Sequence, residues 1–181
     1  MTTIVGIQKP DCAIIAVDSR VTDDDGRIYS HPDMMKYAER GAFLIAGSGE
    51  VLPCDIIQNM WTPPRLLASD KENIYKFMIT KVMPSMREVL TKNGYNFEEA
   101  HDKKEGERFH FLIACNGELF DIDQDLSVTR DARGYYAIGS GGSYALGALH
   151  MGASPLNALE VAANISAFTA PPFYQVEQYK N

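Results

Sequence analysis

The sequence predicts an α+β domain in which two antiparallel sheets pack between layers of helix. Three observations carry that expectation. Short β-rich runs open the chain, return between residues 109 and 138, and close it. The stretches between them repeat apolar residues at helical spacing. The resulting order of strands, helices, strands, helices and a final strand is that of a layered α+β fold. No internal repeat, linker or low-complexity tract interrupts it, and 181 residues suit one domain spanning 1–181.

The elements follow in order. Thr3-Ile4-Val5-Gly6-Ile7 reads as a β-branched strand closed by the turn Lys9-Pro10-Asp11. The continuous apolar run Cys12–Val17 predicts a strand buried on both faces. Asp18-Ser19-Arg20 ends it and leads into the polar loop Asp23-Asp24-Asp25-Gly26. A third strand, Ala42–Ala46, runs into Gly47-Ser48-Gly49, and the short turns joining these strands favour antiparallel pairing. A helix over Asp55–Trp61 stops at Pro63-Pro64. Ser69-Asp70-Lys71-Glu72 has the spacing of a capping box. Behind it Ile74, Phe77, Met78, Val82, Met86, Val89 and Leu90 share one helix face, Pro84 should kink or split the helix, and Gly94 stops it. The charged segment 98–108 reads as a solvated loop or the approach to a hairpin.

Phe109–Cys115 and Glu118–Ile122 flank Asn116-Gly117, a strong short-range hairpin signal. Tyr135–Ile138 is a further strand, leading through Gly139-Ser140-Gly141-Gly142 into a helix over Tyr144–Leu149. Ser154-Pro155 supplies the cap and first turn of a helix running to Phe168. Phe173–Tyr179 alternates as a last strand.

Composition excludes several functions. A formal net charge of −7 leaves no basic face with which to displace counterions from nucleic acid. No apolar run approaches the roughly 18 residues of a membrane span. Met1–Val5 has neither the basic segment nor the apolar stretch of a secretory signal, so a cytoplasmic protein is expected. Cys12, Cys54 and Cys115 are widely spaced in apolar surroundings and read as small buried hydrophobes in a reducing compartment. His31, His101, His110 and His150 lack ligand spacing, which gives metal catalysis no support.

The chemistry centres on the first residues. Methionine before a small residue is normally removed, which would leave Thr2 with a hydroxyl and a free α-amine. These form a nucleophile and a base within one residue, and an α-amine with a reference pKa of about 7.7–8.0 suits proton transfer near neutrality. Other residues admit two readings. Taken singly, Asp18 could merely end a strand and Lys36 could be a surface lysine. Gly139-Ser140-Gly141-Gly142 is a tight turn or a functional loop, but not a dinucleotide site. Tyr144 stands at the third glycine position, and too little chain follows for a βαβ unit.

Four ordered segments resemble the proteasome β-type peptidases, most closely those of the HslV kind. They are Thr2–Ile7, Ala13–Thr22 with its Asp18-Ser19-Arg20, Leu44–Gly49 and Ala137–Ala145, whereas residues 60–108 match in helix pattern alone. The resemblance implies the αββα four-layer sandwich of N-terminal-nucleophile (Ntn) hydrolases, assembled as homo-oligomeric stacked rings. It implies a threonine-type endopeptidase fed with unfolded polypeptide by an AAA+ ATPase of the HslU kind. On this reading Thr2 is the nucleophile, Asp18 and Lys36 are the family's aspartate and lysine, and Ser140 is its supporting serine. Gly49, or Gly47 if the gap lies elsewhere, supplies the oxyanion-binding amide. No cofactor enters the chemistry, but Ala163, Ser166 and Thr169 fall at the carbonyl positions of a structural sodium site. Asn164 departs from the family's aspartate, keeping hydrogen bonding but not charge, and Glu50 follows Gly49 where small residues are usual. These departures keep open a catalytically inactive ring or assembly protein of the same fold. A small-molecule amidase of the superfamily is a third reading, although such enzymes more often begin with Cys or Ser.

Overall fold

A computed structural model describes residues 2–23, 25–101 and 108–181. Eleven strands and seven α-helices follow one another within these segments. β1 (Thr3–Gln8) and β2 (Cys12–Val17) form the expected antiparallel hairpin, and β2 is buried throughout. Its burial has a simple cause: it is an inner strand, paired on its other edge with β11 (Tyr174–Tyr179). The polar loop after it is clasped by two short strands that sequence reading passed over, β3 (Val21–Thr22) and β4 (Ile28–Tyr29). β5 (Tyr37–Arg40), equally unforeseen, pairs with β6 (Phe43–Ser48).

Here one expectation is corrected. β6 does not extend the β1–β2 hairpin but belongs to a second sheet, beside β7 (His110–Cys115), β8 (Glu118–Ile122) and β9 (Val128–Thr129). The β7–β8 hairpin turns at Asn116-Gly117 with φ of 50° and 72°, the doubly positive pair that its Asn-Gly sequence favours. The first sheet runs β10 (Tyr135–Gly139), β1, β2, β11, and all its pairs are antiparallel.

The helices also depart from the sequence reading in places. α1 (Val51–Asp55) begins four residues before the expected Asp55 and passes into a π-helical turn, Ile56–Met60. Pro53 is accommodated because the first turn of a helix needs no N–H donor there. The anticipated capping box is absent. α2 (Ala68–Lys71) starts after Leu67, whose N–H is accepted by the Asp70 carboxylate at 3.1 Å. Asn73 instead caps α3 (Ile74–Phe77), accepting the Lys76 N–H at 2.9 Å. The run continues through a π turn, Met78–Val82, into α4 (Met83–Lys92). Pro84 sits in the first turn of α4, so the π turn before it is the expected split.

Residues 97–101 form α5 (Phe97–His101), not a loop, while 102–107 of the same expectation lie outside the described residues. α6 (Gly142–His150) and α7 (Pro155–Ile165) complete the set. Ser154 caps α7 through the Asn157 N–H at 3.3 Å, and the helix ends three residues short of Phe168.

Packing turns these elements into four layers. Leu44, Ala46, Leu112 and Leu119 from one sheet meet Ile4, Ile15, Val17 and Ile138 from the other. The outer face of the five-stranded sheet carries Phe43, Phe111 and Phe120 against Trp61, Phe77, Met78 and Met86. The outer face of the four-stranded sheet packs Val5 and Ala16 on Ala145, Ala158, Leu159 and Ala162 of α6 and α7. The αββα expectation is thus met. The sheets approach closely at Gly6, where a Cβ would stand 2.5 Å from Leu112 Cδ2. Among the described residues no helix is long and apolar enough to cross a membrane.

Candidate active site

The period of β1 decides which way the first residues point. Ile4 lies between the sheets and Val5 against the helices, so alternation directs Thr3 to the helix side and Thr2 to the mouth between the sheets. Thr2 is buried, with 8% of its surface accessible. Its carbonyl accepts the Ser140 hydroxyl at 3.2 Å. The turn that brings Ser140 there depends on Gly139, whose φ is +86° and whose Cβ, were there one, would fall 2.1 Å from the Thr2 oxygen. No other residue type fits that position.

Asp18 follows the last residue of β2 and sits directly beneath the start of β1. Its side chain is wholly buried and accepts four hydrogen bonds. Oδ1 takes Lys36 Nζ at 2.6 Å and the Thr3 N–H at 2.8 Å, and Oδ2 takes the N–H groups of Arg20 and Ala170, each at 3.2 Å. Lys36 arrives from the segment before β5 and is 6% exposed in its side chain. It donates also to the Arg20 carbonyl. Burial pulls the Lys36 pKa below the ordinary lysine value, and the Asp18 charge and hydrogen bond oppose that pull. The aspartate and the lysine named from sequence therefore meet beside the Thr3 amide, which their separation along the chain does not reveal.

The two glycines considered as amide donors differ in geometry. Gly47 lies within β6 and its N–H is held by the Lys36 carbonyl at 3.1 Å. Gly49 turns the chain from β6 to α1 with φ of +88°, and a Cβ there would fall 1.8 Å from the Arg108 carbonyl oxygen. The strand-to-helix turn is thus built on Gly49. Glu50, half-buried, is the N-cap of α1.

Asn164 lies exposed on the last turn of α7, whereas Asp18 contacts Lys36. Ala163, Ser166 and Thr169 stand where α7 gives way to the next loop. The Ser166 carbonyl accepts the Thr169 N–H at 3.3 Å, and the neighbouring Ala167 carbonyl accepts the Arg20 guanidinium at 2.6 Å. Sequence reading passed over the role of Thr3, Thr169 and Ala170 around Asp18. A pair of buried polar residues in otherwise apolar elements was the signal available.

The fold is similar to that of solved structures over nearly the whole chain. BPH from Thiobacillus denitrificans has a TM-score of 0.74 at 20% identity, covering 99% of this chain and 98% of that one. The same protein in complex with epoxomicin gives 0.71 at 19% identity, with 99% of both chains covered. Eukaryotic HslV from Trypanosoma brucei gives 0.60 at 17% identity, covering 98% and 99%. No family model matches the sequence, and neither does any curated protein. The chain has the proteasome- and HslV-like Ntn-hydrolase fold.

Proposed function

We propose that this chain is a threonine-type endopeptidase subunit of a proteasome-like, ring-forming assembly. The observation that carries the proposal is the wholly buried Asp18–Lys36 pair, hydrogen-bonded to the backbone that follows Thr2. The likeness to BPH, solved with epoxomicin, supports it. Once Met1 is removed, the Thr2 α-amine takes the hydroxyl proton while Oγ1 attacks the scissile carbonyl. The Lys36 ammonium disfavours protonation of that amine and stabilises the charge that develops. Asp18 holds the lysine in place. The Gly49 N–H serves as donor to the tetrahedral oxyanion on this proposal, a contact whose loss typically costs about 10²–10³ in rate. Collapse expels the leaving amine, which carries away the proton held by the α-amine, and leaves a Thr2 ester. Water, activated by the same amine, then hydrolyses the ester. Ser140 steadies the Thr2 carbonyl throughout. Assembly into stacked homo-oligomeric rings, and supply of unfolded polypeptide by an AAA+ ATPase, belong to the same proposal.

Three measurements on the purified protein test it. Mass spectrometry should find Thr2 as the first residue. Epoxomicin should add to that residue, and Thr2→Ala should abolish both labelling and peptide hydrolysis. Retained Met1, or hydrolysis undiminished in Thr2→Ala, refutes the proposal. A second reading, an inactive ring component, draws on Asn164, which supplies no charge to the site. It requires that epoxomicin leave Thr2 unlabelled even where Met1 is gone.

A further inference from the structure

Two buried hydroxyls behind the nucleophile have no part in the chemistry just described. Thr3 is 0% and Thr169 2% exposed, and their Oγ1 atoms lie 2.6 Å apart. We infer that this hydroxyl pair is a positioning clasp that sets the register between the start of β1 and the loop after α7, and so fixes Asp18 for catalysis. The inference rests on the peptidase reading and extends it to residues that never touch substrate.

The connectivity singles out this pair. Thr3 gives its N–H to Asp18 Oδ1 and takes the Asp18 N–H on its carbonyl at 3.1 Å. Ala170, the residue after Thr169, gives its N–H to Asp18 Oδ2 and takes the Ser19 N–H at 3.3 Å. The two carboxylate oxygens are therefore held by two different segments, and the hydroxyl bond is the side-chain link between those segments. A slip of either would turn the carboxylate and move Lys36 with it.

The niche is also reserved for the pair. A Cβ on Gly141 would stand 2.2 Å from Thr3 Oγ1 and 2.5 Å from Thr169 Oγ1. Gly141 follows Ser140, whose hydroxyl holds the Thr2 carbonyl. The clasp thus joins the β1 start, the turn after β10 and the loop after α7 at one point. An apolar pair of equal size would fill the space but impose no direction, because only the hydrogen bond is directional.

The test uses the assembled, processed protein. Thr3→Val and Thr169→Val keep the β-branched shape and remove the bond. Each should lower kcat for a peptide substrate about 10- to 100-fold, since a misplacement of about 1 Å near a reacting group costs about 10². KM should stay within about threefold. The double variant should be no worse than either single one, because the two residues act as a unit. Thr3→Ser, which restores the hydroxyl, should return kcat to within about threefold.

A second readout does not depend on turnover. The NMR titration of Lys36 Nζ should shift in Thr3→Val and Thr169→Val alike, and return in Thr3→Ser. If Thr3→Val does not assemble, Thr169→Val reads the same clasp from the other side. Active protein whose clasp variants keep kcat and the Lys36 titration overturns the inference and leaves the peptidase reading intact. Protein that neither hydrolyses peptide nor reacts with epoxomicin, yet whose Lys36 titration follows the clasp, overturns the peptidase reading and supports the positioning role.

Discussion

Asp18→Asn removes one charge while keeping the side chain's shape. Its consequences can be worked from the four bonds the carboxylate accepts and from its complete burial. An amide offers one acceptor oxygen, so two donors at most are still satisfied from Oδ1, and the NH₂ group faces the other two. Lys36 keeps its burial but loses the Asp18 charge. Breaking a buried pair by removing one partner costs about 3–5 kcal/mol. In a protein of this length about 1 kcal/mol moves the melting midpoint by roughly 2–4 °C, so calorimetry at pH 7 should show a fall of about 6–20 °C. Protein concentration must be equal throughout, because assembly contributes to the midpoint. The deficit should also depend on pH in a defined direction. Lys36 already titrates below the unfolded lysine value because of its burial, and without Asp18 it titrates lower still. A group that binds fewer protons folded than unfolded favours the folded state as pH rises between its two pKa values. The Asn variant should therefore recover part of its loss as pH rises toward the ordinary lysine pKa of about 10.4. Adding Lys36→Met removes the stranded charge and should raise the midpoint again. A single variant within about 2 °C of wild type at pH 7, or a double variant less stable than the single one, refutes the reasoning.

Two further outcomes follow from other parts of the fold. Gly139→Ala combines a positive φ, worth roughly 1–3 kcal/mol against a non-glycine residue, with a contact of 2.1 Å to the Thr2 oxygen. Soluble, active protein should be lost, whereas Gly147→Ala, with nothing within 4 Å inside α6, should gain about 0.5–1 kcal/mol in the same melting assay. His110 on β7 pairs with Asp121 on β8. Burial alone would lower its pKa, but the Asp121 hydrogen bond and charge, helped by Asp123, set it above the ordinary value. That contribution to stability is complete below the unfolded histidine pKa of about 6.5 and disappears as pH rises through the folded one. The midpoint difference between wild type and Asp121→Asn should accordingly be larger at pH 6 than at pH 9, and a difference independent of pH would refute the pairing.

What the sequence revealed, and what it hid, divide along the range of the interactions involved. Hairpin turns, caps and stops are decided within a few residues, so Asn116-Gly117 and Ser154-Pro155 announced themselves. The apolar run of Cys12–Val17 was equally plain, since an inner strand needs no polar face. The strand β5, by contrast, carries Tyr37-Ala38-Glu39-Arg40 and looks like a loop until β6 supplies its hydrogen bonds. Which sheet β6 joins depends on β7, more than sixty residues later in the chain, and local pattern says nothing about that. The site divides in the same way. Gly49 is legible as a glycine that a turn requires, but the meeting of Asp18 with Lys36, and of both with the Thr3 and Ala170 amides, exists only once two sheets and a loop have packed.

The charge balance of the site follows from that packing. Asp18 lies 2.6 Å from Lys36, and residue 164 is an exposed amide that carries no charge. The nearest arginine does not add to the positive charge there. Arg20 turns its carbonyl to Lys36 and its guanidinium to the Ala167 carbonyl, at the end of α7 where the helix dipole is negative. The buried Lys36 and Asp18 meet at the start of β1, and each is also held by backbone. A lysine paired at 2.6 Å presents less than a full charge to its surroundings, because the Asp18 carboxylate offsets part of its field. The pairing makes the site sensitive: Asp18 opposes the pull that burial exerts on the Lys36 pKa, so the charge of Lys36 leans on that carboxylate.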